Sequence, residues 1–168
     1  MTDCDAVAAL LGRAPEGRFE VVVRDAAGGP VVIRNEPFLA DGRPMPTRYW
    51  LIGARERLLV SRLETTGGVN RAEAEVGLDA IADAHARYAA ERDAHIPADR
   101  HGPRPSGGVG GTRIGVKCLH AHYGWWLAGG DDPVGQWVAD HLHEVDHAAH
   151  QVAHHGARRA ENAEADRG

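Results

Sequence analysis

Phe19-Glu20-Val21-Val22-Val23-Arg24-Asp25-Ala26-Ala27-Gly28-Gly29-Pro30-Val31-Val32-Ile33-Arg34 is the stretch that decides the fold. Two runs rich in β-branched residues flank a segment with turn chemistry, which reads as a β-hairpin. A lone hairpin is marginal in water, so a further strand is needed. Thr47-Arg48-Tyr49-Trp50-Leu51-Ile52, beyond the Asp41-Gly42 turn, has the composition to supply it. Outside these strands the apolar periodicity is helical. Asp3 can cap a helix that sets Ala6, Val7, Leu10 and Leu11 on one side and stops at Gly12. Leu59 and Leu63 mark a helix from Ala54 that ends at Gly67-Gly68. Ala74, Leu78, Ile81 and Tyr88 mark a longer one from about Asn70 to His95, stopped by Pro97. Another helix spans about Ile114 to Leu127, and a last one begins at Pro133 with Asp131 or Asp132 as its cap. The expectation is an α+β domain over residues 1–145: a small antiparallel sheet of about three strands packed by four to five helices. Residues 146–168, rich in His and Ala with Val152 as the aliphatic anchor, read as a frayed or disordered tail.

Composition narrows the function. The 168 residues carry 19 Lys and Arg against 24 Asp and Glu, a net charge of −5, so there is no basic footprint and no nucleic-acid partner is expected. No apolar run approaches the roughly 20 residues of a spanning helix, and the first residues lack a basic flank. Two cysteines, Cys4 and Cys118, are too few for a disulfide framework. A cytoplasmic protein without membrane contact is the expectation. Leu, Ile, Val and Phe make only about a fifth of the chain, which implies a thin core.

The candidate chemistry clusters in three places. Gly107-Gly108-Val109-Gly110-Gly111-Thr112-Arg113-Ile114-Gly115-Val116-Lys117 runs from a loop with several prolines and glycines into the expected helix. Unpaired amides at such a junction, with Gly110, Gly111, Arg113 and Lys117 around them, suit a small phosphate-bearing anion. A flexible linker into a capped helix is the structural alternative. Residues 110–117 are not a Walker loop, because Val116 precedes Lys117 and Cys118 stands where Ser or Thr would meet magnesium. On the long helix His85, Tyr88 and Arg92 share the inward stripe, as a buried hydrogen-bond network or the wall of a ligand pocket. His85 and His120 are the candidate acid–base residues. On one continuous helix Cys118 and His122 would lie a turn apart, able to share a metal weakly, while His120 faces away as a core residue. Trp125 and Trp126 cannot both face one core from a single helix, so one indole is a candidate anchor for a protein partner. The tail histidines, at helical spacing over His143, His147, His150 and His154, are read as a solvated segment.

Five stretches occur in a characteristic order: Leu11-Gly12-Arg13-Ala14-Pro15; Pro44-Met45-Pro46-Thr47-Arg48-Tyr49-Trp50-Leu51; Ser61-Arg62-Leu63-Glu64 with Gly67-Gly68-Val69; Ala84-His85-Ala86-Arg87-Tyr88 with Glu91-Arg92-Asp93; and Gly107-Gly108-Val109-Gly110-Gly111 with Val116-Lys117-Cys118-Leu119-His120. Together, over about residues 5–138, they resemble the bacterial family known as domain of unknown function 501. The resemblance implies a small cytoplasmic protein of high-GC Gram-positive bacteria, encoded beside a septum-formation initiator and an exopolyphosphatase. It therefore points to cell division, with an interaction module as the alternative to anion binding, or to phosphate metabolism. Members often carry Cys-Pro-Cys-Gly in the hairpin, which with the later Lys-Cys-x-His implies a metal site. Here that stretch reads Arg24-Asp25-Ala26-Ala27-Gly28-Gly29. No metal is then expected, with Cys118 and His122 as weak candidates and a metal-binding protein as the third reading.

Overall fold

The computed structural model describes residues 2–146. Helix α1 is Asp3–Leu11, followed by strands β1 (Gly17–Arg24), β2 (Pro30–Leu39) and β3 (Tyr49–Leu51). Helices α2 (Ala54–Thr65), α3 (Gly68–Val76) and α4 (Leu78–Asp93) come next. A single 3₁₀ turn, Val109–Gly111, then precedes α5 (Leu119–Leu127), and α6 covers residues 133–146. The α+β expectation holds, with six helices rather than four or five. The tail expectation falls outside the described residues, apart from residue 146 at the end of α6.

The hairpin forms because Asp25 closes its own turn: its Oδ1 accepts the amides of Ala27 and Gly29 at 2.9 and 2.7 Å. The sheet is an antiparallel meander in the order β1-β2-β3. Alternation along β2 then sends neighbours to opposite faces. Val32, paired with Leu51, joins Leu59, Leu63, Ile81, Tyr88 and Leu119 in the main core. Ile33, paired with Trp50, joins Val7 and Ile52 beneath α1. The sheet is thus covered on both faces, by α1 on one and by α2, α4 and α5 on the other.

Three local expectations are corrected. The cap of α1 is Thr2, not Asp3: its hydroxyl accepts the Asp5 amide at 3.3 Å, and Asp5 reaches back to the Thr2 amide at 3.0 Å. The helix expected from Asn70 to His95 is two helices, because Gly77 adopts φ 85° and ψ 143°. A side chain there would be strained, so the glycine permits the break. The helix expected from Ile114 starts only at Leu119, and Cys118 is extended at φ −158° and ψ 145°. The amides of Val116 and Leu119 donate instead to Glu73 Oε1 and Glu64 Oε1, each at 2.6 Å, which holds residues 112–118 out of helical register.

The start of α6 is as expected. Asp132 Oδ1 accepts the amides of Val134 and Gly135 at 2.9 and 3.1 Å, and Pro133 occupies the first turn. Asp132 Oδ2 also accepts from His122 Nδ1 at 2.8 Å, with both side chains buried. One carboxylate therefore caps α6 and ties it to α5. Asp132→Ala removes both roles and leaves a buried imidazole unpaired, so a loss of about 3 kcal/mol or more is expected from urea unfolding. A variant within about 1 kcal/mol of wild type would refute this clamp.

Candidate functional site

The glycine-rich segment is a folded surface of the domain. His85, on α4, accepts the Val109 amide at Nδ1 (3.1 Å) and donates from Nε2 to the Gly115 carbonyl (2.9 Å). Arg92, 1 % exposed, donates to the Gly107 carbonyl at 2.7 Å and to Asp93 at 2.8 Å. The Tyr88 hydroxyl accepts the Arg48 amide at 2.5 Å, and burial pushes it up to about 12. The inward stripe is therefore a buried hydrogen-bond network, which is the first of its two readings. Gly108 backs directly onto His85, where a β-carbon would collide with the ring.

Several amides of the glycine-rich segment, that of Gly111 among them, are engaged within the chain. Gly108, Gly111 and Thr112 donate to carbonyls of the same loop, Val109 to His85, Val116 to Glu73 and Leu119 to Glu64. Lys117 Nζ donates to the Gly110 carbonyl at 3.3 Å, and Arg113 projects from the surface.

The late start of α5 also rearranges its three candidate ligands. His122, expected a turn from Cys118, is 1 % exposed and faces Asp132 and the His85 ring. His120, expected in the core, lies half-buried at the surface of α2. Its Nδ1 donates to Glu64 Oε1 at 3.2 Å, and its Nε2 faces Ser61 Oγ and the Arg57 carbonyl, both at 3.2 Å. Cys118 joins this side: one donor atom each from Glu64, Cys118 and His120 lie within 4.8 Å of one another. Burial works to raise the Glu64 carboxyl, but His120 and the amides of Leu119 and His120 outweigh it and hold it below its ordinary value. Burial, with a contribution from Glu64, pushes the Cys118 thiol up against the opposing Ala121 amide. His120 and Ser61 also line a groove of about 430 Å³ together with Leu11, Trp50, Ile52 and Arg57.

A family model described as a protein of unknown function (DUF501) matches residues 21–140. This chain belongs to the DUF501 family. No curated protein and no solved structure matches it. Among the described residues of this DUF501 protein, no helix is long and apolar enough to cross a membrane.

Neither indole of the expected partner anchor is free. Trp125 is buried and donates to Glu91 at 3.0 Å; Trp126 is half-buried, stacks on Tyr123 and donates to Gln136 at 3.2 Å. Glu91 in turn accepts from Arg48 and Tyr49, which binds β3 to α4 and α5. The site residues that periodicity did not single out are Ser61, Glu64, Arg57 and Trp50. Their signal lay in Ser61-Arg62-Leu63-Glu64, where two polar side chains three apart share one face of an otherwise ordinary helix.

His85 makes a testable contribution. Burial lowers it from 6.5, with His122 acting the same way, against the Gly115 carbonyl and Asp132. The unfolded chain therefore takes up this proton first as pH falls. The stabilisation is complete above about pH 6.5 and is lost as pH drops through the lower folded value. Urea midpoints at roughly pH 7.5 and 5.5 should show a steeper decline for wild type than for His85→Phe. Equal declines would contradict the assignment.

Proposed function

We propose that this DUF501 protein binds a divalent transition-metal ion of zinc type through Glu64, Cys118 and His120. The juxtaposition of three unlike donors, drawn from α2 and the start of α5, carries the reading. Two donors of one tetrahedral zinc, each about 2.0–2.1 Å from the ion, lie roughly 3.3 Å apart. His120 Nδ1 and Glu64 Oε1 stand 3.2 Å apart. Both ring nitrogens of His120 face oxygen acceptors, a demand that a metal resolves: Nδ1 gives its lone pair, and Nε2 keeps its proton for the Arg57 carbonyl. Glu64 is held in place by the Leu119 amide. The donor set differs from the weak candidate pair of Cys118 and His122 in a chain for which no metal is expected from the sequence. Thiolate, imidazole and carboxylate together suit zinc, and three protein donors leave a fourth position for water or a substrate atom.

Ser61, His120 and Glu64 also form the series of a nucleophile, base and acid. Two observations weigh against it. The Arg57 carbonyl competes with Ser61 for Nε2, and the amides of Leu119 and His120 at the start of α5 are spent on Glu64 rather than free to hold an oxyanion. A phosphate-bearing ligand at the glycine segment has less support still, since the amides of Gly108, Val109, Gly111 and Thr112 are already paired.

Dialysed full-length protein titrated with zinc should take up one ion that Cys118→Ser and His120→Gln each weaken by roughly a hundredfold. Cobalt in its place should show a thiolate charge-transfer band that survives Cys4→Ser and disappears in Cys118→Ser. Histidines elsewhere in the chain cannot produce that band. A folded wild type without it, or with it unchanged in Cys118→Ser, would overturn the proposal.

A further inference from the structure

The groove beside His120 makes a second, independent demand on a ligand. Leu11, Trp50 and Ile52 give it apolar wall, from which an apolar body would displace water favourably, and Arg57, Ser61 and His120 give it polar groups. None of its lining residues is Asp or Glu, although the chain as a whole is acidic at −5. Arg57, on its edge, is exposed. The bond it makes from its guanidinium is to the Leu10 carbonyl at 3.2 Å, and no carboxylate among the described residues pairs with it. Arg13, itself paired with Glu16 at 2.7 Å, lies over the Trp50 ring at 5.5 Å and leaves Arg57 as the guanidinium without a carboxylate. The Ser61 hydroxyl, one helical turn from Arg57 on α2, lines the groove beside His120. The neighbouring carboxylate, Glu64, is turned away on His120 and the Leu119 amide.

We infer that this groove binds a small carboxylic acid with an apolar body, the carboxylate on Arg57 and Ser61 and the body over Trp50 and Leu11. The pairing follows from complementarity: an unpaired guanidinium prefers a carboxylate, to which it can present two parallel N–H groups. The volume of about 430 Å³ lies within the range of small-molecule sites. Ser61 touches His120, but none of Arg57, Ser61, Trp50 and Leu11 is a proposed metal ligand, so the inference can be tested with the metal withheld.

The test uses full-length protein in excess EDTA, with octanoate as probe and octanol as its uncharged match, followed by amide and indole NMR signals. Octanoate should shift the Trp50 indole and the amides near Ser61, and octanol should bind about tenfold more weakly, the loss of one charge-assisted contact. Arg57→Gln, which removes an exposed side chain, should cost octanoate about tenfold and leave octanol unchanged. Ser61→Asp, which sets a carboxylate at the head of the groove, should abolish octanoate binding while octanol still binds. Equal binding of the two probes, an unchanged octanoate affinity in Arg57→Gln, or no shifts at millimolar octanoate would each overturn the inference. Zinc stoichiometry measured separately reports on the metal alone.

Discussion

Residues 107–118 have almost no regular structure, yet several of their backbone groups are buried and must be paired. An unsatisfied buried amide costs about 1–3 kcal/mol, so a segment of this kind folds only where side chains are waiting for it. Here they come from three helices: Glu64 from α2, Glu73 from α3, and His85 and Arg92 from α4. Each engages a specific amide or carbonyl. The consequence for function is positional: the same bonds that satisfy the segment fix where α5 begins, and that beginning decides which way Cys118, His120 and His122 point.

Much of the fold was legible because the information is local. The β-branched runs around Asp25, the aromatic strand at Tyr49–Leu51 and the Asp132-Pro133 helix start each need only neighbouring residues, and each appears where expected. The site was less legible, since its geometry depends on distant captures. Apolar periodicity from Val116 through Leu127 is a genuine helical pattern, but Glu64 and Glu73 take the Leu119 and Val116 amides from more than forty residues away and cancel its first turn. With that turn gone, the expectation for Cys118 inverts: it meets His120, and His122 goes inside. Gly77 misled in a simpler way. A glycine within a helical pattern is tolerated, and only its backbone angles show that it divides two helices.

His120 and His122 end up making the same kind of bond, an imidazole against a carboxylate, in unlike surroundings. The His122–Asp132 pair is shut away from water and cannot be opened without stranding a buried charge, so its role is to hold α5 and α6 together. The Glu64–His120 pair keeps about a quarter of each side chain exposed. In that setting its attraction is worth about 1 kcal/mol or less, well below what a bound metal ion returns. A pair that is cheap to break and already spaced like two ligands can exchange its shared proton for an ion. The difference between scaffold and site in this protein is therefore burial more than residue type.

The groove obeys the same logic from the other side of the sheet's edge. Helix α1 covers Ile33 and Ile52, which the fold requires, but it stops at Gly12 with Leu11 and Trp50 still partly open to solvent. A longer helix would have sealed them into the core. Because it ends there, Leu11 and Trp50 pack on the Val7, Ile33 and Ile52 cluster with only part of their surface, and the rest lies beside a guanidinium whose bond goes to the Leu10 carbonyl. On the carboxylate reading proposed above, this half-open surface beside Arg57 and His120 is where the body of the ligand would rest, so the length of α1 sets how much apolar wall the groove can offer.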